Sequence, residues 1–398
     1  MKFLTMDDFD FSGKKVLLRI DINSPVINGV VQDSPRIKAH AETIKELAKK
    51  KARVIILAHQ GRPGDKDFTN LEQHASILSK HVGKNVEFIE DVYGFFAKKK
   101  IRSMKDGDIL LLDNVRMIKD EMEKNPKKIV KSSFIKTLSR EADVFVNDAF
   151  SVSHRAQASV IGFSSLPRIA GRVMERELNA LGSIDKPKAP VTFIFGGAKP
   201  EDRIKLIKKK IKRINYVLTG GVIAELFLIA RNNKLGKTEE FLNNKGYTNF
   251  LPDIKKLSKY SKIKTPCDFA VMDKGKRLEI DLDKMPVERD IEDIGRKTIE
   301  EYKKIIRSSK TIVVGGTMGI IEKSQMQDGT REILTAVANS SAFTLIGGGH
   351  AGEALDIFKI NKKKISYISL AGGALVSYLA GEKLPGVEIL KTKKRSKT

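Results

Sequence analysis

The sequence predicts an α/β protein of two domains, each built on a parallel sheet and joined by a helix, and three observations predict it. Short apolar runs recur along the chain, each followed by a glycine or polar cluster and then by a segment of helical period, the alternation that gives parallel sheets covered by helices. The residues that follow the runs change character halfway, from charged to glycine-rich. Between the halves, Pro187 and Pro190 stop a helix and introduce a new strand. At 398 residues the chain also exceeds one ordinary core, which supports two domains.

The first half places strands at 16–20, 54–58, 109–112 and 144–146. Between the first two, Ile37, Ala41, Ile44, Leu47 and Ala48 share one helical face. The segment 170–181 carries Val173, Met174, Leu178 and Leu181 on one stripe, so 170–185 is predicted to be the connecting helix between a domain at 1–169 and another at 186–373. Strands in the second half are predicted at 191–195, 216–218, 312–314, 343–346 and 365–370.

Composition narrows the class. With 41% hydrophobic and 31% charged residues the chain has the make-up of a globular protein, not of a disordered one. The 74 Lys and Arg against 49 Asp and Glu leave a formal charge of +25, which favours anionic partners. One cysteine, Cys267, makes no internal disulfide and no Cys-based zinc site. Asp7, Asp8 and Asp10 stand where a secretory leader needs an apolar core, and the apolar stretch 214–230 is interrupted by Asn215, Gly220, Gly221 and Glu225. A cytoplasmic protein is expected, with a frayed tail over 391–398.

Ligands of parallel α/β sheets bind beyond the carboxyl ends of the strands. In the first half those positions hold Arg19, Asp21, Ile22 and Asn23, then His59, Gln60, Gly61 and Arg62, then Asn114 and Arg116, then Asp148, His154 and Arg155, with Arg36 opening a helix. Converging guanidinium groups predict a small, strongly anionic ligand. In the second half the same positions hold Gly196, Gly197 and Lys199, then Gly220 and Gly221, Gly315 and Gly316, the triplet Gly347, Gly348 and Gly349 before His350, and Gly372 with Gly373. Such glycines let a backbone approach a nucleotide and open helix N-termini to phosphate. Gly236-Lys237-Thr238 resembles the end of a P-loop, but no strand precedes it, so it is read as accidental. No GxGxxG follows the first strand, and HExxH and GxSxG are absent, which counts against a dehydrogenase, a zinc protease and a serine hydrolase. A polyanion domain and a nucleotide domain together predict phosphoryl transfer, with water excluded by domain closure.

The ordered motifs resemble the phosphoglycerate kinase family over essentially the whole chain, and its archaeal branch in particular. They are Leu17-Leu18-Arg19-Ile20-Asp21-Ile22-Asn23-Ser24-Pro25, Asp33-Ser34-Pro35-Arg36, His59-Gln60-Gly61-Arg62-Pro63, Asn114-Val115-Arg116 and Asn147-Asp148-Ala149-Phe150, followed by Gly196-Gly197-Ala198-Lys199, Asp293-Ile294-Gly295 and Met318-Gly319-Ile320-Ile321-Glu322. The resemblance implies two Rossmann-like domains, with 374–398 returning to the first. It also implies reversible transfer between 1,3-bisphosphoglycerate and ADP, giving 3-phosphoglycerate and ATP, with Mg2+ carried as Mg-ATP or Mg-ADP. It assigns Asp21, Ile22, Asn23, Arg36, His59, Gln60, Gly61, Arg62, Arg116 and Arg155 to phosphoglycerate. Gly196, Gly197, Lys199, Gly220, Gly221, Gly316, Glu322, Gly347, Gly348, Gly349 and His350 go to the nucleotide, with Arg36, Lys199 and Arg203 as catalytic groups. Arg203 replaces a family lysine, Gly315 an asparagine and His350 an aspartate, so no residue is assigned as a direct metal ligand. A monomer is expected, with a dimer as the alternative, and neither a membrane nor a nucleic-acid partner. The competing readings are a catalytically weakened homologue that binds nucleic acid, suggested by the charge and by lysine runs such as Lys208 to Lys210, and a sugar or amino-acid kinase on another α/β scaffold.

Overall fold

The computed structural model describes residues 2–391, which fall into two compact units. Among the described residues, one comprises those up to Gly182 together with 382–391, and the other Ser183–Gly381.

The first unit is a six-stranded parallel sheet in the spatial order Glu87–Ile89, Ile109–Leu112, Arg53–Leu57, Lys15–Arg19, Val144–Asn147, Arg168–Ala170. Its central strands are apolar on both faces because both are covered. Val16, Leu18 and Ile56 pack with Ile37, Ile44 and Leu78 of the helices Pro35–Lys49 and Glu72–Val82. Leu17, Ile55 and Phe145 face the other way, onto Ile101, Phe134 and Ile135. The helix Pro35–Lys49 starts where its sequence says it should: the Ser34 side chain accepts from the Ile37 N–H and proline fills the first turn. From Lys15–Arg19 the chain builds towards one edge, then crosses back to Val144–Asn147 on the other side. The loops after these two strands therefore diverge, which opens a crevice at the switch point.

The second unit has the order Ile263–Lys264, Tyr216–Thr219, Val191–Phe195, Thr311–Gly315, Phe343–Gly347, Tyr367–Ser369. Its switch point lies between Val191–Phe195 and Thr311–Gly315, paired in register from Val191 opposite Thr311 to Phe195 opposite Gly315. A separate antiparallel sheet sets Asp268–Asp273 between Lys276–Asp281 and Ile291–Ile294. Apolar runs do not reveal it, because Lys276–Asp281 alternates charge with aliphatics and stays partly exposed.

Edges differ from expectation for a similar reason. Arg168–Ala170 is an edge strand paired to Phe145–Asn147, so the connecting helix begins at Arg172 rather than 170 and runs to Asp185. The Asp148 carboxylate fixes that start by accepting from the Val173 and Met174 N–H groups at 2.7 and 3.1 Å. The last strand is shorter than 365–370. The return to the first unit begins at 382 rather than 374, because Gly373–Leu379 is a helix whose Leu375 packs over Gly347 within the second unit. Beyond it, Asn147 Nδ2 donates to the Gly386 carbonyl at 2.9 Å, and Phe3 bridges Lys391. The tail from 392 lies outside the described residues. Among the described residues no helix is long and apolar enough to cross a membrane.

Candidate active-site regions

At the first switch point the buried Asp21 is the hub. Arg36 Nη1 stands 3.3 Å from its carboxylate, the Ser151 hydroxyl donates to it, and the Asn23 N–H donates at 3.1 Å. Burial opposes ionisation, yet the Arg36 charge and the Ser151 hydroxyl hold the carboxyl below the ordinary range. A second tier fixes this loop from behind: Asp148 Oδ2 meets His40 Nδ1 at 2.8 Å, and His40 Nε2 accepts from the Asp21 N–H at 3.3 Å.

Cations crowd the neighbouring rim. Arg19 is fully buried and donates through Nε to Ser159 Oγ at 2.8 Å, while Nη2 lies 3.2 Å from His59 Nδ1. Ser159 passes the bond on to the buried Glu121 carboxylate at 2.7 Å. A guanidinium cannot accept, so His59 Nδ1 is the acceptor and its proton sits on Nε2. Burial and the charges of Arg19, Arg116 and Arg155 push this imidazole well below its ordinary pKa in spite of Asp21, so it is neutral. Arg116 is pushed down to about 10 by burial and then by Arg155, Arg19 and Arg62. Arg155 is lowered by burial and by Arg62. Guanidiniums that depress one another are held together by the fold against their repulsion, and a polyanion relieves it.

The structure divides the sequence-assigned residues of this unit. Asp21, Arg36, His59, Arg116 and Arg155 gather, and the exposed Arg62 is close enough to act on Arg116. Gln60 faces inward instead. Its Nε2 donates to the Ser24 carbonyl at 2.9 Å and the Asp67 carbonyl at 3.1 Å, and its Oε1 accepts from the Ser24 N–H and approaches His74 Nε2. Its polar atoms are thereby spent on the fold, and it positions the loop rather than a ligand. Ile22 is buried and offers only backbone. Gly61 sits at φ +62, where an added Cβ would lie 2.6 Å from the Phe68 backbone, so no other residue fits under that loop. Ser151, His40 and Glu121 were not legible in the sequence, since single polar residues in loops and helices carry no pattern.

At the second switch point the loops after Val191–Phe195 and Thr311–Gly315 interlock. The Gly197 N–H donates to the Thr317 carbonyl at 2.8 Å, and a Cβ on Gly196 would lie 2.0 Å from that same oxygen. A Cβ on Gly316 would lie 2.2 Å from the Gly196 carbonyl. These glycines, with Gly220 against Met318 and Gly347 against Leu375, serve chain packing first. Gly348, Gly349 and Gly372 differ: nothing lies within 4 Å of their virtual Cβ atoms, so their backbone borders open space.

Two cavities flank this interlock. The larger, about 480 Å³, is lined by Gly197, Gly221, Glu225, Phe241, Glu322 and His350 among others. The smaller, about 110 Å³, is lined by Lys199, Arg203, Gly315, Gly347 to Gly349 and Gly372. Lys199 caps the helix Pro200–Lys210 and is exposed. The Arg203 guanidinium lies 5.7 Å from the Phe195 ring centroid, and a Cβ at 315 would be 3.2 Å from its Cζ. Burial lowers its pKa despite Asp202, and its Nε has no hydrogen-bond partner. Gly236-Lys237-Thr238 proves structural: a Cβ on Gly236 would strike the Val287 carbonyl, and Thr238 Oγ1 accepts from the Ile291 N–H. Among the described residues no group of three or more His, Cys, Asp or Glu is placed to hold a metal ion.

Guanidinium groups that gather at the switch point of one unit, and a glycine-bordered pair of cavities in the other, are the equipment of a phosphotransferase. The chain belongs to the phosphoglycerate kinase family, whose model matches residues 6–382. It is 44% identical to the phosphoglycerate kinase of Methanopyrus kandleri over 98% of this chain and 97% of that one, and 44% identical to that of Saccharolobus solfataricus over 97% and 96%. Its structure is similar to that of phosphoglycerate kinase from Pyrococcus horikoshii, with a TM-score of 0.90 and 38% identity over 97% of this chain and 98% of that one. For the enzyme from Coxiella burnetii the values are 0.81 and 31%, over 98% and 99%.

Proposed function

We propose that the first unit binds 3-phosphoglycerate or its acyl phosphate, that the second binds ADP or ATP, and that the chain transfers the phosphoryl group reversibly between them. The observation that carries the reading is the cluster of Arg19, Arg116 and Arg155, each lowered by burial and by neighbouring guanidinium charge, with Arg62 acting on Arg116 and Arg155, which favours a polyanion at the first switch point. In the ATP-consuming direction the nucleophile is a carboxylate, ionised at neutral pH, so the site needs no general base. The neutral His59 and the buried Asp21 then orient ligand and loop, while Arg36, Lys199 and Arg203 supply charge to the transferring group.

Magnesium enters as part of the nucleotide. The groups bordering the smaller cavity are Lys199, Arg203, backbone glycines and the single carboxylate Asp202, a donor set suited to phosphate rather than to a hard cation that takes several oxygen ligands. The reading includes a cytoplasmic, monomeric enzyme. Formation of ATP from 1,3-bisphosphoglycerate and Mg-ADP in a coupled assay, with sedimentation of the active species, tests it; absence of turnover in both directions overturns it.

A further inference from the structure

The larger cavity contains an acid that the transfer reaction leaves unused. Glu225 is 5% exposed and lies one helical turn beyond Gly221, so the helix Gly221–Ala230 turns both positions to the cavity. Among the described residues its carboxyl has no hydrogen-bond or ion-pair partner, and neither oxygen is sealed from the cavity. The polar groups beside it are committed elsewhere: Thr238 to the Ile291 N–H at 3.0 Å, and Asp290 to Lys237 at 3.3 Å. Val222, Phe241, Phe269 and Ile291 supply apolar wall. Lys199, Arg203 and the open glycines, which suit phosphate, border the other cavity. Glu292 and Asp293 also line the cavity and each keeps one buried oxygen without a partner, but their other oxygens are paired with Lys323 and Arg277, so Glu225 is the buried lining acid that pairs through neither oxygen among the described residues. An apolar wall beside such an acid is the environment of a heterocycle with a hydrogen-bonding edge.

Resting on the nucleotide reading above, we propose that Glu225 is the residue that reads the nucleobase, as a neutral acid whose O–H donates to N1 of adenine and whose carbonyl oxygen accepts from the N6 amino group. Burial, reinforced by the Asp290 charge, pushes this carboxyl up to about 8, which keeps the proton on it at neutral pH. An ionised carboxylate, an acceptor only, would instead repel adenine N1 and suit the two adjacent N–H donors of guanine.

The test is a cycle between the side chain and the N6 group. Kd by calorimetry and KM are measured for ADP and for purine riboside diphosphate, which lacks the amino group, with wild type, Glu225→Met and Glu225→Gln. Wild type should lose about tenfold in affinity with the analogue, the worth of one hydrogen bond, and Glu225→Met should lose that discrimination. Glu225→Gln keeps a donor and an acceptor and should keep the discrimination. Equal discrimination in Glu225→Met and wild type overturns the proposal, as does a wild-type preference of tenfold or more for GDP over ADP. Met replaces an unpaired buried acid with an apolar side chain of similar length, so folding is preserved. The calorimetric arm stands even if no nucleotide supports turnover, an outcome that would sink the transfer reading alone.

Discussion

The two units use related sheets to opposite chemical ends. In the first, the crevice is built from side chains: Asp21, Arg36, His59, Arg116 and Arg155, with Arg19 holding His59 and with His40 and Ser151 holding Asp21 and its loop. In the second it is built from backbone: Gly196 and Gly316 interlock, and Gly348, Gly349 and Gly372 leave open borders. A small rigid polyanion can be recognised only by groups that reach it from several strands. A nucleotide is long and partly flat, and close backbone approach serves it better. The difference predicts that the units fail differently when damaged.

The largest effect should come from truncating a side chain in the first. Arg36 is a third exposed and pairs with Asp21 at 3.3 Å, so Arg36→Ala should lower kcat by on the order of 100- to 1000-fold while the melting transition stays near wild type. Turnover close to wild type would remove Arg36 from the transfer step. In the second unit a single added methyl should act through stability. Gly196→Ala forces a Cβ towards the Thr317 carbonyl and should cost about 1–3 kcal/mol, read as a lowered denaturant midpoint together with weaker nucleotide binding. Gly349→Ala meets nothing within 4 Å and should leave the midpoint alone while raising KM for the nucleotide. If both glycine variants behave alike, the division between packing glycines and bordering glycines is wrong.

Titration should separate the units by sign. His74 in the first unit is buried and lowered to about 4, so its contribution is complete above the unfolded value of 6.5 and disappears as pH falls from there through about 4, on the order of 3 kcal/mol. Glu225 in the second unit is raised to about 8, so its contribution is complete below the unfolded value of 4.5 and is lost as pH rises through about 8. Urea midpoints between pH 4 and 9 should therefore flatten on the acid side in His74→Gln and on the alkaline side in Glu225→Gln. A variant whose profile parallels wild type throughout would show that its group does not titrate in that window.

Much of this contrast was legible in advance. Apolar runs located the central strands, and strand-end residues pointed to both candidate crevices, because a buried parallel strand leaves a contiguous apolar signature and the residues just after it border the crevice at its carboxyl end. Edge strands such as Glu87–Ile89 and Arg168–Ala170 escaped, being three residues long and partly exposed. The supporting tier escaped as well. Nothing in the sequence distinguishes His40, which holds the Asp21 loop, from His81, which pairs with the exposed Asp33, since the distinction lies in three-dimensional neighbours. Gln60 was legible as a motif residue but not in its orientation. The surplus of lysine over acid is spread along helices, where exposed pairs such as Lys100 with Glu87 contribute little to stability.

The smallest predicted effect concerns two departures from the family pattern that looked unrelated in the sequence. Arg203 replaces a lysine and Gly315 an asparagine, and the structure places the Arg203 guanidinium 3.2 Å from where a Cβ at 315 would be. The longer, planar cation occupies the space that the glycine leaves, against the Phe195 ring. The two substitutions then depend on each other. Gly315→Asn alone should destabilise by about 1 kcal/mol through crowding, and Arg203→Lys alone by a similar amount through loss of the ring contact. The double variant should recover part of the sum, a coupling of at least about 0.5 kcal/mol in a four-member denaturation cycle. Additivity within that margin would mean that Arg203 and Gly315 changed independently. Nucleotide KM measured on the same four proteins and on Arg203→Met separates packing from phosphate contact: if Arg203 only fills space, the double variant should bind nucleotide as wild type does, and if it also supplies charge at the smaller cavity, Arg203→Lys should retain affinity better than Arg203→Met.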